Sequence, residues 1–143
     1  MKEGTVLKFK ILLMLFLACS TLFANELNFI LKHDGLIDQR AQDKINEIGL
    51  EAKQKLDVEL YVYMIENNGI RLSLKREDRI KLMREFEKNI TNSIKAKDFA
   101  VLVLSIDQQY ASILLSNSLK SILDKDTILD DYVIPLLASK DKN

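Results

Sequence analysis

Cysteine is nearly absent from this 143-residue chain, and the only one, Cys19, lies in an apolar N-terminal stretch. If that stretch is removed, the remaining protein has no disulfide, no thiolate nucleophile and no thiolate metal site. Tryptophan is missing and aromatic residues make up only 7%, which argues against stacking platforms for bases or sugars. Basic and acidic residues balance at 21 each, so the basic excess typical of nucleic-acid binders is missing, and no nucleic-acid partner is expected.

Histidine and glycine are also scarce. His33 is the sole histidine and falls in a predicted surface turn, so it is interpreted as an ordinary polar residue. No G-x-S-x-G elbow occurs, which leaves Ser-His-acid chemistry without its usual support. None of the four glycines forms a phosphate loop after a predicted strand, and nucleotide binding of the usual α/β kind is therefore not expected.

The N-terminal 24 residues have the order of a secretory signal peptide. The head of the chain is basic, with Lys2, Lys8 and Lys10. The apolar run "ILLMLFLAC" and the segment "STLFA", which ends at Ala24, follow. This order predicts a signal peptide over residues 1–24, one mature domain over residues 25–143, and a periplasmic protein. Two alternatives tether the chain to the membrane: an uncleaved anchor, and acylation of Cys19. The run itself is short for a membrane span.

Periodicity predicts alternating helices and strands. Asp38 is placed to cap a helix, along which apolar residues recur at spacings of three and four: Ala41, Ile45, Ile48, Ala52 and Leu56. Gly49 within it is interpreted as a site of close packing. Val58 to Ile65 and Phe99 to Ile106 are apolar on both alternating faces, as strands covered on both sides are.

The remaining elements connect these two strands and follow them. A charged helix is predicted from about Leu74 to Lys95, and its buried face is expected to carry Ile80, Met83, Phe86, Ile90 and Ile94. Its other face is basic, and is interpreted either as solvated or as a contact for anionic headgroups or phosphate. Asp107 to Gln109 predicts a turn, and Tyr110 to Leu115 predicts a returning strand. Ser112 within this strand and Ser116 just after it suggest that the strand is more exposed than the other two. The expected architecture is a small three-layer α/β/α sandwich, with a parallel crossover and a hairpin in one mixed sheet.

An acidic cluster precedes the only proline, Pro135. Its members are Asp124, Asp126, Asp130 and Asp131. Carboxylates gathered in this way suit Ca²⁺ or Mg²⁺, although the spacing does not match an EF-hand loop. The competing interpretation is structural: Asp126 or Thr127 caps a helix, and Asp130 and Asp131 lie near its positive end.

Three segments of the chain together point to a known family: "ILDDYVIP" from Ile128 to Pro135, the stretch from Lys97 to Asp124, and the stretch from Gly35 to Tyr63. The first resembles the C-terminal signature of the TPM domain, a family named for thylakoid photosystem maintenance and common in bacterial envelopes. The second resembles that family's buried strand, hairpin and short helix, and the third resembles its first helix and strand. Together these segments cover most of residues 25–143.

The resemblance implies an α/β/α sandwich, export, membrane proximity, and a site for calcium or another divalent cation. Asp124 stands near the family's aspartate after the short helix, and Asp34 stands for the acidic residue ahead of the first helix. With the neighbouring Asp126, these are the predicted metal ligands. Several positions depart from the family pattern: Ser116-Asn117-Ser118 replaces a glycine-rich turn, and Lys120 replaces an acidic residue. Serine would narrow the approach of an ion to the backbone.

Two functions are therefore expected from different classes. The first is a binding or maintenance module for an envelope protein, with a weak or vestigial divalent-cation site around Asp124 and Asp126. The second, which the resemblance implies, is a weak metal-assisted acid phosphatase that acts on phosphate monoesters. In the second, Lys120 or Lys125 would neutralise phosphate charge.

Overall fold

The computed structural model describes residues 28–140 and, ahead of them, only Lys8 and Lys10. The predicted signal peptide and its cleavage point lie outside the described residues, apart from those two lysines. The elements, in chain order, are β1 (Ile30–Lys32), α1 (Gln39–Leu56), β2 (Glu59–Ile65), α2 (Arg76–Asn92), β3 (Phe99–Ser105), β4 (Tyr110–Leu115), α3 (Asn117–Lys120), α4 (Lys125–Ile128), a π-helical turn (Leu129–Val133) and α5 (Ile134–Lys140).

The four strands form one sheet in the order β1-β2-β3-β4. β1, β2 and β3 are parallel, and β4 is antiparallel to β3. β2 and β3 pair over their whole length, from Glu59 with Phe99 to Ile65 with Ser105. The predicted crossover and hairpin in a mixed sheet are confirmed, and β4 has the predicted bounds.

Helices cover both faces of the sheet, which explains why β2 and β3 are apolar at nearly every position. On one face, α2 places the buried Ile90 against Val101, Val103 and Leu114, with Phe86 packed beside them. On the opposite face, the strands pack against the C-terminal helical segments. The residues in that second cluster include Ala100, Leu102, Ile113, Leu115, Leu119, Ile128 and Val133. The α/β/α architecture predicted from the sequence is therefore confirmed.

Strand β1 is an element that the sequence patterns did not predict. The strand has only three residues, too few for an alternating pattern to be recognised. It forms because β2 offers it an edge: the N–H of Val62 donates to the carbonyl of Phe29 at 2.9 Å. The turn predicted around His33 is confirmed: it follows β1, and the N–H of Leu36 donates to the carbonyl of His33 at 2.8 Å.

Gly49 marks close packing, as predicted. A Cβ atom there would lie 2.5 Å from Cδ2 of Phe29 and 3.0 Å from its Cβ. Phe29 is only 2% exposed, and its ring also packs on Tyr61 with the centroids 5.9 Å apart. Glycine is therefore what lets α1 approach the start of β1. The predicted cap of α1 is present too, since Asp38 Oδ1 accepts from the N–H of Ala41 at 2.8 Å.

Three predictions about exposure were wrong. Ser112 and Ser116 are buried, because α2 and the C-terminal segments cover both faces of β4. On the α1 stripe, Ile48 in the middle and Leu56 at the end are 48% and 72% exposed, so the stripe is buried only in part, at Gly49 and Ala52. Ile80, near the start of α2, is exposed as well. Among the described residues, no helix is both long and apolar enough to cross a bilayer.

Candidate functional site

Asp124 has a structural role at the start of α4. Its Oδ1 accepts from the N–H groups of Asp126 at 3.1 Å and Thr127 at 3.4 Å, and its Oδ2 accepts from the Thr127 hydroxyl at 2.9 Å. The Thr127 hydroxyl and then these backbone donors hold the pKa of Asp124 below its usual value. Asp124 is thus an ionised helix cap, although Oδ2 retains lone-pair capacity for another donor or a cation.

An aspartate of the acidic cluster does cap a helix, as predicted, but the prediction named the wrong residue. Asp124, and not Asp126 or Thr127, is the cap residue of α4. Asp126 lies in the first turn of that helix, where its charge is favourable. Asp130 and Asp131 fall in the following π-helical turn, beyond the first turn to which the helix dipole effect is confined.

Asp34 lies at the other end of the sheet from Asp124. It follows β1, and its Oδ2 accepts from the N–H of Glu66, just after β2, at 3.3 Å. Strand β4 runs the opposite way and ends beside Phe99, the first residue of β3. A seven-residue strand spans about 20 Å, so Asp34 and Asp124 do not share a site. Across residues 28–140, no group of three or more His, Cys, Asp or Glu side chains is placed to hold a metal ion.

Asp124 and Asp126 instead line a cavity of about 640 Å³ beside β4, which we call the β4 cleft. Its floor is Ile113, Leu114 and Leu115, the second half of the strand. One wall is the solvent-facing side of α2, with Arg84, Glu87, Lys88 and Thr91. The other wall is the segment after β4, with Lys120, Leu123, Asp124, Lys125 and Asp126.

The cleft holds four cations that have no ionic partner within residues 28–140. They are Arg84, Lys88, Lys120 and Lys125; none of the ion pairs in that part of the chain includes them. Two of the three carboxylates in the cleft are already engaged. Asp124 accepts the capping bonds, and Glu87 accepts a hydrogen bond from the Tyr110 hydroxyl. Burial, and secondarily this bond to Glu87, raises the pKa of Tyr110. Four cations against three carboxylates leave the cleft with a formal net charge of +1, and the cations are the groups that lack a partner in the described part of the chain.

The carboxyl end of the parallel strands, where α/β folds usually bind ligands, is filled by its own polar groups. The side chain of Gln108 donates to Asn67 Oδ1 at 3.0 Å and to the Ile70 carbonyl at 3.2 Å. It accepts from the Ser105 hydroxyl at 2.5 Å and from the N–H of Asn68 at 3.2 Å. These bonds tie together the loops that follow β2 and β3.

Sequence reasoning found part of the cleft and missed part of it. It named Asp124 and Asp126 and suggested Lys120 or Lys125 as phosphate partners, because all four lie within seven residues of each other. It left Arg84 and Lys88 among the basic residues of a long helix. Their alternation with acidic residues gave no signal that they face a second group of cations.

Comparison with models of known protein families gives no match for this chain. A search of curated proteins finds none either. The resemblance to the TPM domain remains a prediction.

Proposed function

We propose that this protein is an exported binding module of the bacterial envelope, related to the TPM domain, and that it binds an anionic partner in the β4 cleft. The observation that supports this proposal most strongly is the group of four cations around the β4 floor, none of which has an ionic partner among residues 28–140. Cations that face the same cavity repel one another, and an anionic ligand relieves that repulsion. Such a surface also speeds encounter with negatively charged partners.

A site-specific photo-crosslinker tests this function in intact cells. Thr91 lies in the cleft wall, so p-benzoylphenylalanine at this position should form an adduct with the partner on irradiation. The matched control carries the same group at Lys75, an exposed residue at the start of the same helix, nine positions before Arg84 and outside the cleft. Reversal of two cleft charges, Lys120→Glu with Lys125→Glu, should abolish the Thr91 adduct. No adduct at Thr91, or the same adduct from both positions, would contradict a binding site in the cleft.

Export has its own test. The mature chain should begin at Asn25, and intact mass spectrometry of protein from the periplasmic fraction measures this directly. A mass that corresponds to a different first residue would show that cleavage does not follow Ala24. A mass increased by acyl chains on Cys19 would replace the cleaved form with the lipidated alternative.

Metal-assisted phosphatase activity is the second candidate, because Asp124 and Asp126 lie in one cleft with Lys120 and Lys125. Carboxylates would hold the cation and lysines would balance phosphate charge. Asp126→Asn is the informative variant, since Asp126 accepts none of the capping bonds at α4. Calcium should raise the melting temperature of the parent protein but not of this variant. The parent protein should release phosphate from an aryl phosphate, and the Asp126→Asn variant should not. No calcium effect on the parent would remove this candidate.

A further inference from the structure

Strand β4 has one free edge, because it is the last strand of the sheet. In an antiparallel pair, successive residues point their backbone groups alternately toward and away from the partner strand. The N–H of Ser116 donates to the carbonyl of Phe99 at 2.9 Å, so Leu114 and Ser112 also face β3. Ile113 and Leu115 therefore direct their N–H and C=O groups outward, into the β4 cleft.

These outward groups have no partner in a turn, loop or side chain within residues 28–140. They lie about 7 Å apart along the strand, the spacing at which an added strand forms its hydrogen bonds. As whole residues, backbone included, Ile113 and Leu115 are 8% and 6% exposed, so their apolar side chains are buried. The free edge thus offers backbone hydrogen bonds, while the apolar side chains are already packed.

The shape of the cleft selects a single extended chain. α2 rises on one side of the β4 edge and the segment from Lys120 to Asp126 on the other, so the edge lies between two walls. A second copy of this protein would bring to the same edge the α2 and the C-terminal segment that flank its own β4, and these would compete for space with the two walls. A lone peptide strand has no such flanking helices.

The charges of the cleft select the chemistry of that strand. Arg84 and Lys88 lie on one wall with Glu87, and Lys120 and Lys125 lie on the other with Asp124 and Asp126. Glu87 and Asp124 are already hydrogen-bonded within the fold, so the groups left to pair with side chains of an added strand are mainly the cations on both sides. Acidic side chains pair with them, and basic ones are repelled. We infer that the partner presents an acidic, extended peptide segment, which adds to the free edge of β4 through the backbone groups of Ile113 and Leu115. This inference rests on the proposed function and specifies its ligand.

A short end-blocked peptide of alternating glutamate and valine, carrying a fluorescent label, is a direct probe. Its binding to the parent protein, followed by fluorescence anisotropy, should weaken as salt is added. A peptide with lysine in place of glutamate should bind at least about tenfold more weakly. The acidic peptide N-methylated throughout keeps its charge but cannot donate backbone hydrogen bonds, and it should lose at least about tenfold in affinity.

Amide hydrogen exchange locates the strand. Bound acidic peptide should slow exchange at Ile113 and Leu115 by at least about tenfold, and leave Ser112 and Leu114, which already face β3, little changed. Lys120→Glu with Lys125→Glu should weaken the acidic peptide at least about tenfold. Lys75→Glu, the same charge change at the exposed start of α2 and outside the cleft, should not alter binding.

Three results would overturn the inference: no binding of the acidic peptide at about 1 mM, equal binding of the lysine peptide, or binding without protection of Ile113 and Leu115. If no peptide binds while vesicles of phosphatidylglycerol bind through Lys120 and Lys125, the cleft recognises lipid headgroups and strand addition is wrong. The Thr91 photo-crosslink separates the two proposals. An adduct there without peptide binding removes strand addition alone, whereas loss of both removes the binding function as well.

Discussion

At the carboxyl end of the parallel strands, Gln108, Asn67 and Ser105 bond to one another, whereas in the β4 cleft four cations have no ionic partner within residues 28–140. The first arrangement satisfies its polar groups within the fold and so contributes to stability. The second leaves charge available for another molecule. In this α/β domain the end of the sheet where ligands usually bind is occupied by a structural hydrogen-bond network, and the proposed binding site lies instead beside the edge strand β4.

The largest effect is expected from Gln108→Ala. The Ser105 hydroxyl is 1% exposed, so removal of its acceptor leaves a buried polar group unsatisfied, and two loops lose their connection. We expect the free energy of unfolding to fall by about 2–3 kcal/mol, measured by urea denaturation. Gln109→Ala, one residue along in the same turn, should change it by less than about 0.5 kcal/mol. Equal effects would mean that the network does not hold this end together.

Gly49→Ala changes an apolar contact that lies outside both regions, and its effect on stability can be compared with that of Gln108→Ala. The added methyl group would overlap the ring of Phe29, and the cost of overpacking exceeds the gain in helix propensity. We expect a net loss of about 1–2 kcal/mol in the free energy of unfolding. Gln54→Ala, at an exposed position of the same helix, is the control. An increase in stability from Gly49→Ala would show that α1 can move away from β1 without cost.

Asp124 is the one cleft residue for which a clear effect on stability is expected. Asp124→Asn should lower the melting temperature at neutral pH by a few degrees, because it removes a charged cap. Asp126→Asn should not. Since the folded-state pKa of Asp124 is lowered, its contribution is complete above the unfolded-state pKa of about 4 and is lost as pH falls through the folded-state value. Melts from pH 7 down to pH 3 should show the two curves converging. A constant difference would contradict the charged cap.

Tyr110 connects the two regions, because it begins β4 next to the Gln108 turn and donates to Glu87 in the cleft wall. Its pKa is raised by burial and by Glu87, so its contribution to stability is complete below the unfolded-state pKa of about 10 and is lost as pH rises through the folded-state value. Tyr110→Phe should therefore flatten the alkaline loss of stability above about pH 10. Denaturation at two alkaline pH values measures this, with Tyr132→Phe at an exposed site as control.

The smallest effect on stability is expected from Lys120→Glu with Lys125→Glu, the variant that we expect to weaken binding most. Lys120→Glu and Lys125→Glu remove cations without an ionic partner in the described part of the chain, so the free energy of unfolding should change by less than about 0.5 kcal/mol. Urea denaturation of the double variant checks this beside the peptide titration. A large loss of stability would show that these lysines serve the fold, and the contrast between the two regions would fail.

Local patterns in the sequence were sufficient for β2, β3 and β4, for both long helices and for the Asp38 cap. Strands covered on both faces are apolar throughout, and helices of this length repeat every three or four residues. Such signals depend only on neighbours along the chain. The interpretation of Gly49 as a close contact also succeeded, because glycine inside a helix is unfavourable unless packing requires it.

What depended on distant partners was decided only by the tertiary structure. Three residues became β1 because β2 offered them an edge, and Ser112 was buried because helices cover both faces of its strand. Asp34 and Asp124 were separated because β4 reverses the direction of the chain. The β4 cleft arises because α2 places Arg84 and Lys88 across the edge from Lys120 and Lys125, more than thirty positions later in the sequence. Spacing along a chain specifies which face of an element a residue occupies, but which other residues it meets depends on how the elements pack.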